Sequence, residues 1–333
     1  MTAIQWTDET WNPVTGCSRV SEGCRHCYIE RTPPFRMHGR KLGDSVQLHR
    51  DRLYQPLKWR KPRKVFVNSL SDLFHDDVRT DFIQEVFTVM AICSQHTFQI
   101  LTKRPQRMFD ILSQWGAEDL YTYWHAFSGQ PREAQGWPLP NVWLGVSVED
   151  QQAADERIPL LLQTPAAVRW ISAEPLLGPV DLEQVRNSVM MAEGQDYLNV
   201  LAGYAWTCSG ADYCDTCGIN SSLDWVVVGG ESGSGARPCD VEWIRTIMRR
   251  CHRAAVPCFV KQLGSYVVDR NDAGFDGDDG DDWPMLTDID DPSNDWSYQG
   301  ASIRVRLHDR KGGQSEEWPK DMEVRQWPSA VVR

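Results

Sequence analysis

The 333-residue chain contains no apolar run long enough to cross a bilayer, and its start shows no charged segment followed by an apolar core. Trp6, Trp11 and Asn12 fall where a signal core would lie. These absences point to a cytoplasmic protein that engages no membrane. Internal repeats are missing too, which removes repeat architectures. Positive charge is in deficit, with 35 Lys and Arg against 46 Asp and Glu and a formal net charge of −11. That balance excludes a protein that coats nucleic acid over its whole surface. A fourth cysteine is also lacking where one would be expected: after Cys17, Cys24 and Cys27, none follows until Cys93.

The three early cysteines have the spacing C-x6-C-x2-C. Ten cysteines in a cytoplasmic chain read poorly as disulfides and better as metal ligands or buried thiols. Thiolate is a soft ligand that selects zinc, copper(I) or an iron–sulfur cluster. A closed zinc site needs four ligands. His26 lies between two of the cysteines, and His38 is a distant fourth donor. A [4Fe–4S] cluster held by three cysteines leaves one iron without a protein ligand, an open position suited to catalysis. Such an iron can chelate the amino and carboxylate groups of S-adenosylmethionine. Zinc, cluster and free thiols all remain open on spacing alone. Gly16 and Gly23 flank the loop and let backbone pack closely around a bulky group.

Apolar runs predict strands at Trp11–Thr15, Lys64–Asn68, Thr97–Leu101, Val142–Val146, Val168–Ile171, Trp225–Val228 and Cys258–Val260. They scarcely alternate, as expected for parallel strands buried on both faces. Between them, 3.6-residue periodicity predicts helices over Asp81–Cys93, Pro105–Trp115, Gln151–Gln163 and Val241–Ala254, the last behind Asp240 as N-cap. This alternation implies an α/β fold with a parallel sheet, open or closed into a barrel.

Most strands run out into polar clusters: 68–72, 102–104, 147–150, 172–175, 229–233 and 261–262. In parallel α/β barrels the active site is built from those ends. Glu149, Glu174 and Glu231 are the candidate catalytic carboxylates there. Lys103, Arg104 and Lys261 are equally readable as anion-binding groups of a substrate site or as partners of those carboxylates.

Residues 182–222 interrupt the alternation as an insertion carrying Cys208, Cys214 and Cys217. Zinc, completed by Asp212, Asp215 or Cys239, is the simplest occupant of that second group, and a second iron–sulfur cluster is the alternative. Cys93, Cys239, Cys251 and Cys258 read as small buried hydrophobes. The chain divides into residues 1–265, with that insertion, and a C-terminal extension over 266–333. The extension begins with an acidic stretch (eleven Asp against Arg270 over 269–295) that reads as a flexible loop. Residues 302–307 and 323–327 are short β-like runs. Residues 31–64 carry eleven Lys or Arg against Asp44 and Asp51, a locally basic stretch that reads as a contact for nucleic acid or as a solvated face.

The loop after a first strand, with its ending Cys24-Arg-His-Cys27-Tyr28, resembles the cluster loop of radical S-adenosylmethionine enzymes, though most of that superfamily has C-x3-C-x2-C. More closely, residues 11–17, 67–74, 141–150, 171–178 and 228–233 are similar to a phage- and prophage-associated family of radical-SAM-like proteins whose substrate is unassigned. The resemblance implies an incomplete (β/α) TIM-like barrel with a Cys-rich insert and an acidic appendage. It implies a [4Fe–4S] cluster on Cys17, Cys24 and Cys27, with S-adenosylmethionine as cofactor. By position, Asn68, Ser69, Ser71 and Asp72 meet the amino end of that cofactor, while Ser147 and Ser172, with Glu149 and Glu174, meet its ribose and carboxylate. A flavodoxin- or ferredoxin-like electron donor would be a partner, and nucleic acid or a nucleotide is the leading substrate class. Two rival readings are a metal-dependent or acid/base hydrolase using Glu149, Glu174 and Glu231, and a non-catalytic metal-binding interaction protein.

Overall fold

The computed structural model describes residues 4–32, 35, 41–44, 46–120, 125, 136–187, 196–206, 216–218, 221–270, 302–305, 307, 309 and 311–328. Seven parallel strands form its centre: β1 (Glu9–Trp11), β2 (Lys64–Val67), β3 (Thr97–Thr102), β4 (Val142–Ser147), β5 (Val168–Ala173), β6 (Trp225–Gly229) and β7 (Cys258–Gln262). They lie in the sheet in chain order, each new strand joining the same edge. That winding curls the sheet and leaves all C-terminal strand ends on one rim, as in an incomplete barrel. The predicted strands are all present apart from their ends. The first differs most: it starts at Glu9 and stops at Trp11, because Pro13 has no N–H to donate and Asn12 spends its side chain on Ser69 and Leu70.

Four helices follow the predicted segments within three residues at either end: α1 (Thr80–Ile92), α2 (Pro105–Leu112), α3 (Gln151–Gln163) and α4 (Val241–Arg253). Asp150 caps α3 by accepting from Ala153 N at 2.8 Å, and Asp240 caps α4 by accepting from Glu242 N at 2.9 Å. Each such cap is worth about 1 kcal/mol.

Strand pleat divides the core in two. Val65, Phe98, Leu144, Ile171, Val226 and Val260 face outward against the helices. Alternate residues face the concave side, where Phe66, Trp143, Trp170, Trp225, Val227 and Phe259 pack with Trp6. Trp6 meets Phe66, Trp170 and Trp225 edge-on at centroid separations of 4.8, 5.2 and 5.9 Å. Such pairs add about 0.5–1.5 kcal/mol each beyond burial. Gly145 is required here, since a Cβ on it would sit 2.5 Å from the Trp170 ring. The aromatic layer fills the interior toward the N-terminal strand ends and leaves polar residues for the opposite rim.

The C-terminal residues 311–328 return to this core rather than standing apart from it. Val324 O accepts from Val260 N, and Gln326 N donates to Cys258 O, covering the outer edge of β7. Trp327 meets Phe259 edge-on at a centroid separation of 5.0 Å, and Lys64 Nζ lies over its ring, 4.5 Å from the centroid, so it touches both β7 and β2. Trp318 and Met322 are buried in the helical-side core. The 302–305 strand pairs with Val267–Arg270. The acidic residues 271–300, with Trp283 and Trp296, lie outside the described residues.

The insertion forms a four-stranded antiparallel sheet from Val185–Arg186, Tyr197–Asn199, Tyr204–Trp206 and Thr216–Gly218. Cys217 pairs with Ala205 in it, whereas Cys208 and Cys214 lie outside the described residues, as do Asp212 and Asp215. Cys239, the remaining suggested ligand, is buried in the helical-side core, where burial holds its thiol protonated.

Candidate functional site at the C-terminal rim

The cysteine loop leaves β1 and crosses the rim. Gly16 N donates to Leu70 O at 3.0 Å, tying the loop start to the turn after β2. That turn depends on Asn68, whose φ of 61° is tolerated by Asn better than by most residues. Ser71 Oγ donates to Val14 O at 2.8 Å, and Ser69 Oγ to Asn12 Oδ1 at 3.2 Å. Tyr28 reaches back from the loop to donate to Ser69 O. Ser69 and Ser71 therefore fasten the loop to the rim. Gly23 sits directly over the rim charges: a Cβ there would lie 2.9 Å from both Glu149 Cδ and Lys103 Nζ.

Cys17 and Cys27 are half-buried and Cys24 is buried, all as free thiols. Burial pushes the Cys17 thiol up to about 11, assisted by Asp72 and opposed by Arg104. Burial also raises Cys27. Metal uptake would therefore release protons. Among the described residues, no three His, Cys, Asp or Glu side chains stand close enough together to hold one metal ion. Cys17, Cys24 and Cys27 all lie on the one loop that leaves β1, and as thiolates they are the soft donors that a zinc ion or an iron–sulfur cluster takes.

Each rim carboxylate has its own cation. Glu149, 1% exposed, accepts from Lys103 Nζ at 2.8 Å and from Arg157 at 2.8 and 3.2 Å. Burial raises its carboxyl, but the two cations outweigh burial and hold it at about 2. Glu231 accepts from Arg237 at 2.8 and 3.0 Å and lies 3.2 Å from His26 Nδ1 of the cysteine loop. Burial raises it, and bonds from Arg237 and His26 bring it to about 2. Glu174, following β5, accepts from Lys261 Nζ at 2.7 Å and from Gln262 at 3.0 Å. Glu149 and Glu231 thus stay ionised at neutral pH, and neither carries a proton for general-acid work.

Asp72 is saturated by four donors: Thr102 Oγ1 at 2.7 Å, Phe74 N and Arg104 Nη1 at 3.0 Å, and Lys103 N at 3.1 Å. It braces the turn rather than offering a free oxygen to a ligand. Ser147 and Ser172 sit opposite each other in the β4–β5 register, both buried on the concave face below the rim.

Lys103 and Lys261 are thus carboxylate partners, as one of the two sequence readings had it. Arg104 pairs with Asp72 instead of a glutamate. Sequence reasoning missed Arg157 and Arg237. Arg157 has a local signal, since it lies eight residues past Glu149 on the face of α3 that turns toward the sheet. Arg237 has none beyond its nearness to Glu231. The basic stretch divides: Arg31 bonds Ser234 O near the rim at 2.9 Å, whereas Lys58, Arg60 and Lys61 precede β2 at the other end of the sheet.

No helix among the described residues is long and apolar enough to cross a membrane. No curated protein and no solved structure matches the chain. One family model does, over residues 1–318, so the chain belongs to the family described as "Protein of unknown function (DUF5131)".

Proposed function

We propose that this protein is a cytoplasmic radical S-adenosylmethionine enzyme on an incomplete TIM-like barrel, a member of a radical-SAM-like family met in phages and prophages. The observation that carries the reading is one loop, leaving β1, that brings three free thiols to the polar rim of a parallel sheet; His38, the distant fourth donor, lies outside the described residues. Cys17, Cys24 and Cys27 would hold the cluster. When bound, a [4Fe–4S] cluster supplies the electron that cleaves S-adenosylmethionine into methionine and a 5′-deoxyadenosyl radical able to take hydrogen from a substrate.

The chain's own residues supply the surroundings. Tyr28, Ser69 and Ser71 fasten the loop to the rim. Glu231, through His26 and Arg237, ties the loop to the end of β6. The aromatic layer of Trp6, Trp170 and Trp225 closes the interior beneath and keeps water out of the far side. The cations on Glu149 and Glu231 hold both ionised, which counts against either as a general acid and leaves the metal-dependent form of the hydrolase reading untouched.

The test is anaerobic reconstitution with ferrous iron and sulfide, followed by reduction with dithionite in the presence of S-adenosylmethionine. Iron and sulfide near four per chain, with release of 5′-deoxyadenosine, are expected. A colourless protein that takes up only a divalent ion would overturn the reading.

A further inference from the structure

Two consecutive cations at the end of β3 leave the strand in opposite directions and flank the cysteine loop. Lys103 turns to Glu149, beneath Gly23, and its charge favours the thiolate form of Cys27. Arg104 turns to Asp72 and points Nη1 at Cys17 Sγ, 3.8 Å away. Its other nitrogen, Nη2, donates to Ser18 Oγ at 2.8 Å and Ser18 O at 3.3 Å, which fixes the fork against the loop. The Arg104 side chain is 8% exposed and that of Lys103 17%.

Within ion-pair distance, Lys103 and Arg157 share Glu149 and Arg104 pairs with Asp72, three cations against two carboxylates. Glu30, the other acid near Cys27, is matched by Arg19 at 3.0 Å. Metal binds these sulfurs as thiolates, so a group held there would bring negative charge beside the two cations.

We propose that Lys103 and Arg104 are the electrostatic partners of the metal–thiolate group on Cys17, Cys24 and Cys27, and that they hold its reduction potential up. The proposal rests on the reading of the site given above. Reduction adds negative charge, so adjacent cations and an N–H pointed at a ligating sulfur favour the reduced form. Arg157 pairs with Glu149 through its own two bonds, separate from that of Lys103.

The experiment is a redox titration of the reconstituted full chain, followed by electron paramagnetic resonance without S-adenosylmethionine, for wild type, Lys103→Gln, Lys103→Arg, Arg104→Gln and Arg104→Lys. At a fixed potential, each glutamine variant should lower the reduced-to-oxidised ratio about tenfold, or about 59 mV for a one-electron couple. The conservative variants should recover most of that. Arg104→Gln also strips Asp72 of its cation and tests the fold, so Lys103→Gln decides. A merely structural Lys103 would alter stability or iron content and leave the potential unchanged. An iron-loaded wild type whose potential matches that of Lys103→Gln overturns this inference alone. A wild type that takes up no iron overturns the reading of the site and this inference with it.

Discussion

Replacing Glu149 with glutamine exposes the electrostatics of the rim. The carboxylate is 1% exposed and holds two cations, Lys103 at 17% and Arg157 at 7% exposure. Its carboxyl lies at about 2 in the folded protein against an ordinary 4.5. At 1.36 kcal/mol per unit, that difference is about 3 kcal/mol of folding stability at neutral pH. Because the folded value is depressed, the contribution is complete above about pH 4.5 and disappears as pH falls toward 2. Glu149→Gln keeps the shape but leaves the buried Arg157 and the half-buried Lys103 without their anion, and breaking a buried pair in this way typically costs about 3–5 kcal/mol. Urea unfolding followed by tryptophan fluorescence should therefore give a midpoint well below wild type at pH 7. The gap should shrink by about 2 kcal/mol between pH 5 and pH 3, as the wild-type carboxylate protonates in the unfolded chain. A loss under 1 kcal/mol at pH 7, or a gap that does not change with pH, would refute the claim that this ion triad is a buried structural unit.

Serine at Cys17, Cys24 or Cys27 should each reduce iron uptake to near background while leaving the circular dichroism spectrum unchanged, because none of the three thiols lies within a regular strand; iron content after gel filtration is the check. Gly23→Ala drives a methyl group to within 2.9 Å of Glu149 and Lys103, so the loop lifts, and we expect faster loss of iron to a chelator with a stability change of about 1 kcal/mol; an unaltered rate would separate the loop from the rim charges. Gly145→Ala meets the Trp170 ring at 2.5 Å, and that ring is held by Trp6 and Trp225. It should cost about 1–3 kcal/mol, and a double-mutant cycle should find most of that cost gone in a Trp170→Ala background. Additive losses would contradict the contact.

The seven strands, the four helices and the polar strand ends were legible because each rests on local signals. Val142–Ser147 is buried at every residue, and that is why its apolar run lacks alternation. Asp240 and Asp150 mark helix starts because a short acceptor satisfies backbone N–H groups close in sequence. The end of the first strand was misread because Val14-Thr15 has strand character of its own; it pairs antiparallel with Gln47-Leu48 instead of extending β1. The C-terminal residues looked detached because their partners, Val260 and Phe259, lie more than sixty positions earlier.

By itself the sequence determined which residues could bear charge or bind metal, and that its parallel strands would end on a common rim, since winding and periodicity follow from neighbours along the chain. Only the tertiary structure decided which charges meet. Lys103 and Arg157 converge on Glu149, Arg237 on Glu231, and Arg104 passes all three glutamates to brace Asp72 and face Cys17. The physical reason is that Coulomb attraction depends on distance and on exclusion of water. Both are set by how separate strands and loops come together, and neither is written in their spacing along the chain.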